Sequence, residues 1–164
     1  MDLSNYSLKE LLEIAVRSEI DAKETYTELS KKVDNFVLKD RLEFLAGEEE
    51  KHRKFIESFF NKKFAGEEMN IPDESPKPLP RVNIEDENME MSEIFYQAME
   101  SEKASRDFYL GIAERYEDEP EIKKTIVYLA SMEMNHYHIL KAERDSIDAF
   151  EELGRDWAYI HIGP

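Results

Sequence analysis

Apolar residues recur along the chain at alternating intervals of four and three positions, in four separate segments. The segments cover residues 8–33, 38–59, 91–116 and 122–140. Residues at this spacing form one stripe along an α-helix, which has 3.6 residues per turn. The pattern therefore predicts an all-α chain of four amphipathic helices.

Local signals predict where these helices begin and end. Ser7 and Glu10 have the spacing of a capping box, which starts a helix. The first two segments are separated by a break at residues 34–35, and Pro120 suits the first turn of the fourth helix. Gly154 is the expected C-cap of that helix.

The second half of the chain repeats the first. Met91 is the counterpart of Leu8 in the first helix of each half, and Ile126 is the counterpart of Leu42 in the second. The offset between counterparts grows by one position from the first helix to the second, so the second turn carries a single insertion. We interpret the 164 residues as a single domain built from two copies of a helix hairpin. The first hairpin covers about residues 7–61 and the second about 88–153, followed by a short tail, 154–164.

A long connection joins the two hairpins, from about residue 62 to about 87. Neighbouring helices of a bundle are usually joined by about 2–8 residues. This connection must instead travel the length of the bundle, roughly 40 Å, if the second hairpin runs opposite to the first. Its proline-rich stretch can provide that reach in extended form. The prediction is an antiparallel four-helix bundle with a long crossover, with the tail residues Trp157, Tyr159, Ile160 and Ile162 docked on it.

Polar residues interrupt each apolar stripe near its middle. Counted from the hairpin turns, the interruptions lie at matching heights, so we expect six side chains to converge on one level of the core: Glu19, Glu49, His52, Glu102, Glu133 and His136. Each histidine follows a glutamate by three residues, which puts both on one face of a helix. Four buried carboxylates without compensation would cost several kcal/mol each. Two divalent cations balance their charge, which predicts a site for two metal ions.

The composition excludes several classes of function. A net charge of −16 disfavours nucleic acids and anionic membranes as partners. The absence of cysteine excludes disulfides, iron–sulfur clusters and thiolate zinc sites. With no signal peptide pattern and no apolar stretch of membrane-spanning length, we expect a soluble cytoplasmic protein.

The segments SEIDAKETY, EEEKH, SEKASRDFY and MEMNH resemble the rubrerythrin branch of the ferritin-like di-iron carboxylate proteins. The resemblance covers nearly the whole chain and implies a ferritin-like bundle. It implies that the six converging residues bind two iron ions, and that the protein reduces hydrogen peroxide or oxidises iron(II) with dioxygen. A manganese pair or a mixed pair stays open, because availability also decides which metal is bound.

Two features depart from that family. Full-length rubrerythrins end in a cysteine-ligated rubredoxin domain, so this cysteine-free chain is expected to use an external electron donor such as a rubredoxin. Many rubrerythrins carry a further glutamate one turn from the third-helix ligand, where Met99 and Ser105 stand here. We also expect a homodimer or larger homo-oligomer.

Several alternatives remain open at this level. Tyr26 and Tyr109 each follow a predicted ligand by seven residues, so they either hydrogen-bond the ligand carboxylates or pack as ordinary core aromatics. Iron-storage proteins of the bacterioferritin type carry the same six-ligand pattern, so iron storage is the second possible function, and a bundle without metal is the third. His138 and His161 are expected at the surface, as are the two glutamates that flank Glu49.

Overall fold

The structure, a computed structural model, describes residues 3–74, 82 and 90–160, with the backbone alone for residues 151 and 153–160. Its four helices are α1 (Leu8–Lys32), α2 (Phe36–Lys63), α3 (Met91–Arg115) and α4 (Pro120–Ile160). The helix α1 packs along α2, α3 packs along α4, and α2 also contacts α4. The predicted bundle of two helix hairpins is confirmed, and the described residues contain no strand.

The capping signals act where the sequence predicts them. The Ser7 hydroxyl accepts from the Glu10 amide at 3.3 Å, and the Glu10 carboxylate accepts from the Ser7 amide at 2.7 Å. Asn35 starts α2, because its side-chain oxygen accepts from the amides of Val37 and Leu38. Each cap satisfies amides that have no partner within the first helical turn.

The end of α4 differs from the prediction. We expected Gly154 to end the helix, but α4 continues through it to Ile160. A glycine ends a helix only when it takes a left-handed conformation, and within a helix it costs only about 1 kcal/mol. The described residues do not include Pro76, Pro78 and Pro80 of the crossover, His161 and Ile162 of the tail, or the side chains of Trp157, Tyr159 and Ile160.

The apolar core consists of two clusters, one towards each end of the bundle. One contains Leu12, Ile56 and Ile126, and the other contains Leu45 and Phe95. The prediction placed Phe59 on the core stripe of α2, but Phe60 is the fully buried residue and Phe59 only packs against the cluster. A helix of 3.6 residues per turn drifts from a strict seven-residue repeat, so the core position moves by one residue after several turns.

The beginning of the crossover is attached to α1. The backbone amide of Asn70 donates to the Glu13 carboxylate at 2.8 Å, and Lys9 forms an ion pair with Glu67 at 2.9 Å. Glu13 is buried, so the hydrogen bond from Asn70 provides a partner that its carboxylate needs there. These contacts direct the chain along α1 as it leaves the first hairpin.

In the parts of the chain that the structure describes, no helix is both long enough and apolar enough to cross a membrane.

Candidate metal centre

The bundle brings six glutamate and histidine side chains together between its two apolar clusters. Each is buried, and they are the six predicted from the sequence: Glu19, Glu49, His52, Glu102, Glu133 and His136. The helices α1 and α3 contribute one glutamate each, whereas α2 and α4 contribute a glutamate and a histidine each. The polar level therefore receives ligand-type groups from all four helices.

His52 lies within a group of three carboxylates. Its ring atom Nδ1 is 3.4 Å from Glu19 Oε2, 3.2 Å from Glu49 Oε2 and 3.1 Å from Glu133 Oε1. The ring of His52 stacks on that of His136, with centroids 4.9 Å apart and planes inclined by 9°. Two imidazoles therefore present Nδ1 to the same small space.

His136 lies near two carboxylates. Its Nδ1 atom is 2.9 Å from Glu49 Oε1 and 3.6 Å from Glu102 Oε2. Glu49 thus directs one oxygen towards each histidine. One donor atom from each of Glu49, His52, Glu133 and His136 lies within 4.8 Å of the others, which is compact enough for a shared metal site.

Several donor atoms at this level have no hydrogen-bond partner, because the short nitrogen–oxygen distances among them lack the direction that a hydrogen bond needs. They are both carboxylate oxygens of Glu49, both ring nitrogens of His52, Glu133 Oε1 and His136 Nδ1. Buried polar atoms are nearly always paired, because an unpaired one costs about 1–3 kcal/mol or more. Carboxylate oxygens and imidazole nitrogens are ligands that iron and manganese accept. The unpaired atoms therefore fit metal ions bound among these six residues.

Burial and neighbouring charges shift the pKa values of these glutamates and histidines. Burial, with a contribution from the charge of Glu49, raises the pKa of Glu19 to about 8. Burial likewise raises the pKa of Glu133 well above its usual range. Burial lowers the pKa of His136, but the carboxylates of Glu102 and Glu49 outweigh it and raise this pKa to about 11. Without a metal ion, protons must therefore neutralise part of the charge, and a bound metal would displace them.

Two buried tyrosines connect the halves of the bundle. The Tyr26 hydroxyl on α1 donates to Glu102 Oε1 on α3, and the Tyr109 hydroxyl on α3 donates to Glu19 Oε1 on α1. Burial raises the pKa of both phenols well above the ordinary value, so each stays protonated and able to donate. The sequence left open whether these tyrosines bond to the ligand carboxylates or only pack as core aromatics. In the structure, both form the hydrogen bonds to the carboxylates.

The glutamates that flank Glu49 face away from the centre. Glu48 pairs with the exposed Lys51, but it is half-buried and not fully at the surface as predicted. Glu50 is more constrained than predicted, because Lys23 at 3.1 Å and Arg53 at 2.7 Å both contact it. The ion pair between Glu50 and Arg53 could have been predicted from their spacing of three residues. Nothing in the sequence indicated the ion pair between Glu50 and Lys23 on α1.

The remaining residues considered from the sequence lie outside the centre. His138 is exposed, and Met99 is buried within the apolar cluster beside the centre. Ser105 is half-buried. The burial of Glu13 was not predicted, although an acidic residue within the apolar run of residues 11–16 was a signal for it.

Comparisons with known proteins agree with this arrangement. A sequence model of the family described as rubrerythrin matches residues 10–144. A solved structure described as a hypothetical protein from Pyrococcus furiosus is 32% identical, with a TM-score of 0.77. That similarity covers 91% of this chain and 95% of the other. No curated protein matches the chain.

Proposed function

Because the chain belongs to the rubrerythrin family, we propose that it is a non-haem di-iron oxidoreductase that reduces hydrogen peroxide with electrons from an external donor. The observation that supports this proposal best is the group of buried glutamate and histidine atoms without hydrogen-bond partners. An interaction bundle without metal would have no reason to keep these atoms in its core, because apolar residues of similar size would be more stable there.

The six converging residues would hold the metal pair. Glu19, Glu133 and His52 would serve one position, Glu102 and His136 the other, and Glu49 would contact both. When bound, a pair of iron(II) ions supplies the two electrons that, with two protons, convert one hydrogen peroxide molecule to two water molecules. The mixed oxygen and nitrogen donors suit a metal that changes its oxidation state.

The surrounding residues orient the ligands and keep bulk water out. Tyr26 and Tyr109 each bind one oxygen of a glutamate and leave the other free for a metal ion, which restricts how the carboxylate can rotate. Both phenols keep a proton at the hydroxyl beside the centre. The apolar clusters on both sides exclude water and so protect a reactive site from side reactions.

Iron storage of the bacterioferritin type is the second candidate, with iron(II) as the substrate. Bacterioferritins resemble this chain in their six ligands, but their haem-binding methionine stands where this chain has Glu50. Here Glu50 forms ion pairs with Lys23, Arg53 and Lys54. The charged surroundings of this position favour the peroxidase proposal over a haem-binding storage protein.

Stopped-flow mixing of the anaerobic iron(II) protein with each oxidant tests the proposal. We expect hydrogen peroxide to oxidise the protein faster than dioxygen, because peroxide needs only the two electrons that one iron pair holds. Turnover should stop after one event per centre unless a donor such as rubredoxin and its reductase are added. Faster reaction with dioxygen, together with hundreds of retained iron ions per assembly on gel filtration, would support storage instead.

A further inference from the structure

The two metal positions are related by the internal repeat but differ in their surroundings. In the repeat, Glu19 corresponds to Glu102, and His52 corresponds to His136. A faithful repeat would give each histidine the same number of carboxylate neighbours. The structure instead distributes the carboxylates unequally between the two histidines, so the two positions should not attract a metal ion equally.

Glu133 is the source of the inequality. Its Oε1 atom lies 3.1 Å from Nδ1 of His52 on the other hairpin, and it adds a third carboxylate to the contacts from Glu19 and Glu49. His136, on the same helix as Glu133, has contacts from only Glu49 and Glu102. Once it has displaced the protons that these groups hold, a divalent cation beside His52 would meet three carboxylates and one beside His136 two, so the larger set of carboxylates favours the first position.

Burial points in the same direction. The side chain of His52 is 0% exposed, whereas that of His136 is 4% exposed. Both ring nitrogens of His52 are buried without a hydrogen-bond partner, but of the ring nitrogens of His136 only Nδ1 is. The position at His52 is thus drier and has more unpaired donor atoms for a metal ion to satisfy.

An ion pair joins α1 and α2 beside the first position, and the equivalent place between α3 and α4 has none among the described residues. On α2, the residue after the ligand glutamate is Glu50, which pairs with Lys23 on α1 and Arg53 on its own helix. The repeat places Arg106 and Met134 where Lys23 and Glu50 stand, and Arg106 Nη1 meets only a thioether sulfur there, at 3.3 Å. A thioether is a weak acceptor, so the second hairpin lacks this ionic connection beside its ligands.

We propose that the metal positions fill in order, with the His52 position binding the first ion and the His136 position the second, a proposal that rests on the two-metal function above. Glu133 contributes to the first position when only one ion is bound. One extra carboxylate within about 4 Å of a cation corresponds to at least about a tenfold difference in dissociation constant, even with strong solvent screening.

Titration of the metal-free protein with manganese(II), followed by electron paramagnetic resonance, tests the order. With one manganese(II) ion per chain, the wild-type protein should show the six-line spectrum of an isolated ion. With two, the spectrum of a magnetically coupled pair should replace it. Coupled pairs from the first additions, in proportion to the bound metal, would overturn ordered filling.

Two matched variants identify which position fills first. His136→Ala should still bind one manganese(II) ion with an affinity within a few-fold of the first wild-type step. His52→Ala should lose that step and bind its remaining ion at least about tenfold more weakly. The reverse result, or equal losses in both variants, would overturn the assignment. Far-ultraviolet circular dichroism shows that both variants keep their helices before the titration is interpreted.

The outcomes also separate this inference from the proposed function. If wild-type protein binds neither manganese(II) nor anaerobic iron(II), both proposals fail. If it binds two ions of either metal with equal affinity, only the order of filling fails and the di-metal function stands.

Discussion

Replacing Tyr109 with phenylalanine removes one hydroxyl group from the centre and keeps the aromatic packing. The hydroxyl donates to Glu19 Oε1 in the buried core, and both side chains are almost fully shielded from solvent. Its loss leaves a buried acceptor without its donor, which costs about 1–3 kcal/mol. We therefore expect Tyr109→Phe to lower the free energy of unfolding of the metal-free protein by about 1–3 kcal/mol.

Two further variants make this measurement specific. Tyr26→Phe is the matched variant, because it removes the equivalent bond to Glu102. Tyr128→Phe is the control. Tyr128 is 53% exposed, so removing its hydroxyl leaves no buried acceptor without a donor. We expect the control to change the free energy of unfolding by no more than about 0.5 kcal/mol.

Urea denaturation in the presence of a chelator, followed by far-ultraviolet circular dichroism, measures all three variants under one condition. The slope of the free energy against urea should stay constant, which shows that the variants unfold from the same compact state. A loss at Tyr128→Phe as large as at Tyr109→Phe would refute the reasoning. So would losses below about 0.5 kcal/mol at both buried tyrosines, since an unsatisfied buried carboxylate oxygen cannot cost so little.

The remaining predictions concern the metal. Glu49→Ala and Glu133→Ala should each bind fewer iron ions than wild type after anaerobic reconstitution, whereas Glu48→Ala should bind as many, because Glu48 faces Lys51 at the surface. Equal losses in all three by metal analysis would mean that the helix register is wrong. Likewise His138→Ala should keep its metal, because His138 is exposed. A lower metal content of this variant after gel filtration would contradict this prediction. Finally, chelation should lower the midpoint of thermal unfolding, since metal at a hundred times its dissociation constant stabilises a protein by about 2.7 kcal/mol; identical calorimetric midpoints with and without chelator would argue against a bound metal.

Much of the fold follows from local patterns in the sequence. The spacing of Leu8, Leu12 and Ala15 predicts a helix because side chains three and four residues apart share a face. Ser7 and Glu10 predict where that helix starts, for the same local reason. Interruption of each stripe at one height predicts that the six residues of the centre lie at one level, because the helical rise per residue is constant.

The internal repeat was also visible in the sequence, but it does not show that equivalent residues of the two halves make different contacts. The repeat treats Glu133 as the equivalent of Glu49, yet only Glu49 contacts both histidines. Such differences depend on small rotations of whole helices, which a periodic pattern leaves undetermined. The sequence also left open whether α4 continues past Gly154, because glycine is compatible both with a helix end and with a helix interior.

Residue spacing was enough to predict four helices, their duplication and the level at which the polar residues meet, because a helix has a constant rise and turn per residue. The bonds from Tyr26 to Glu102 and from Tyr109 to Glu19 were visible only in the folded bundle. These partners are 76 and 90 residues apart in the chain, and each pair spans two helices of different hairpins. Contacts of this kind depend on the separation and rotation of packed helices, which are set by how all the core side chains fit together.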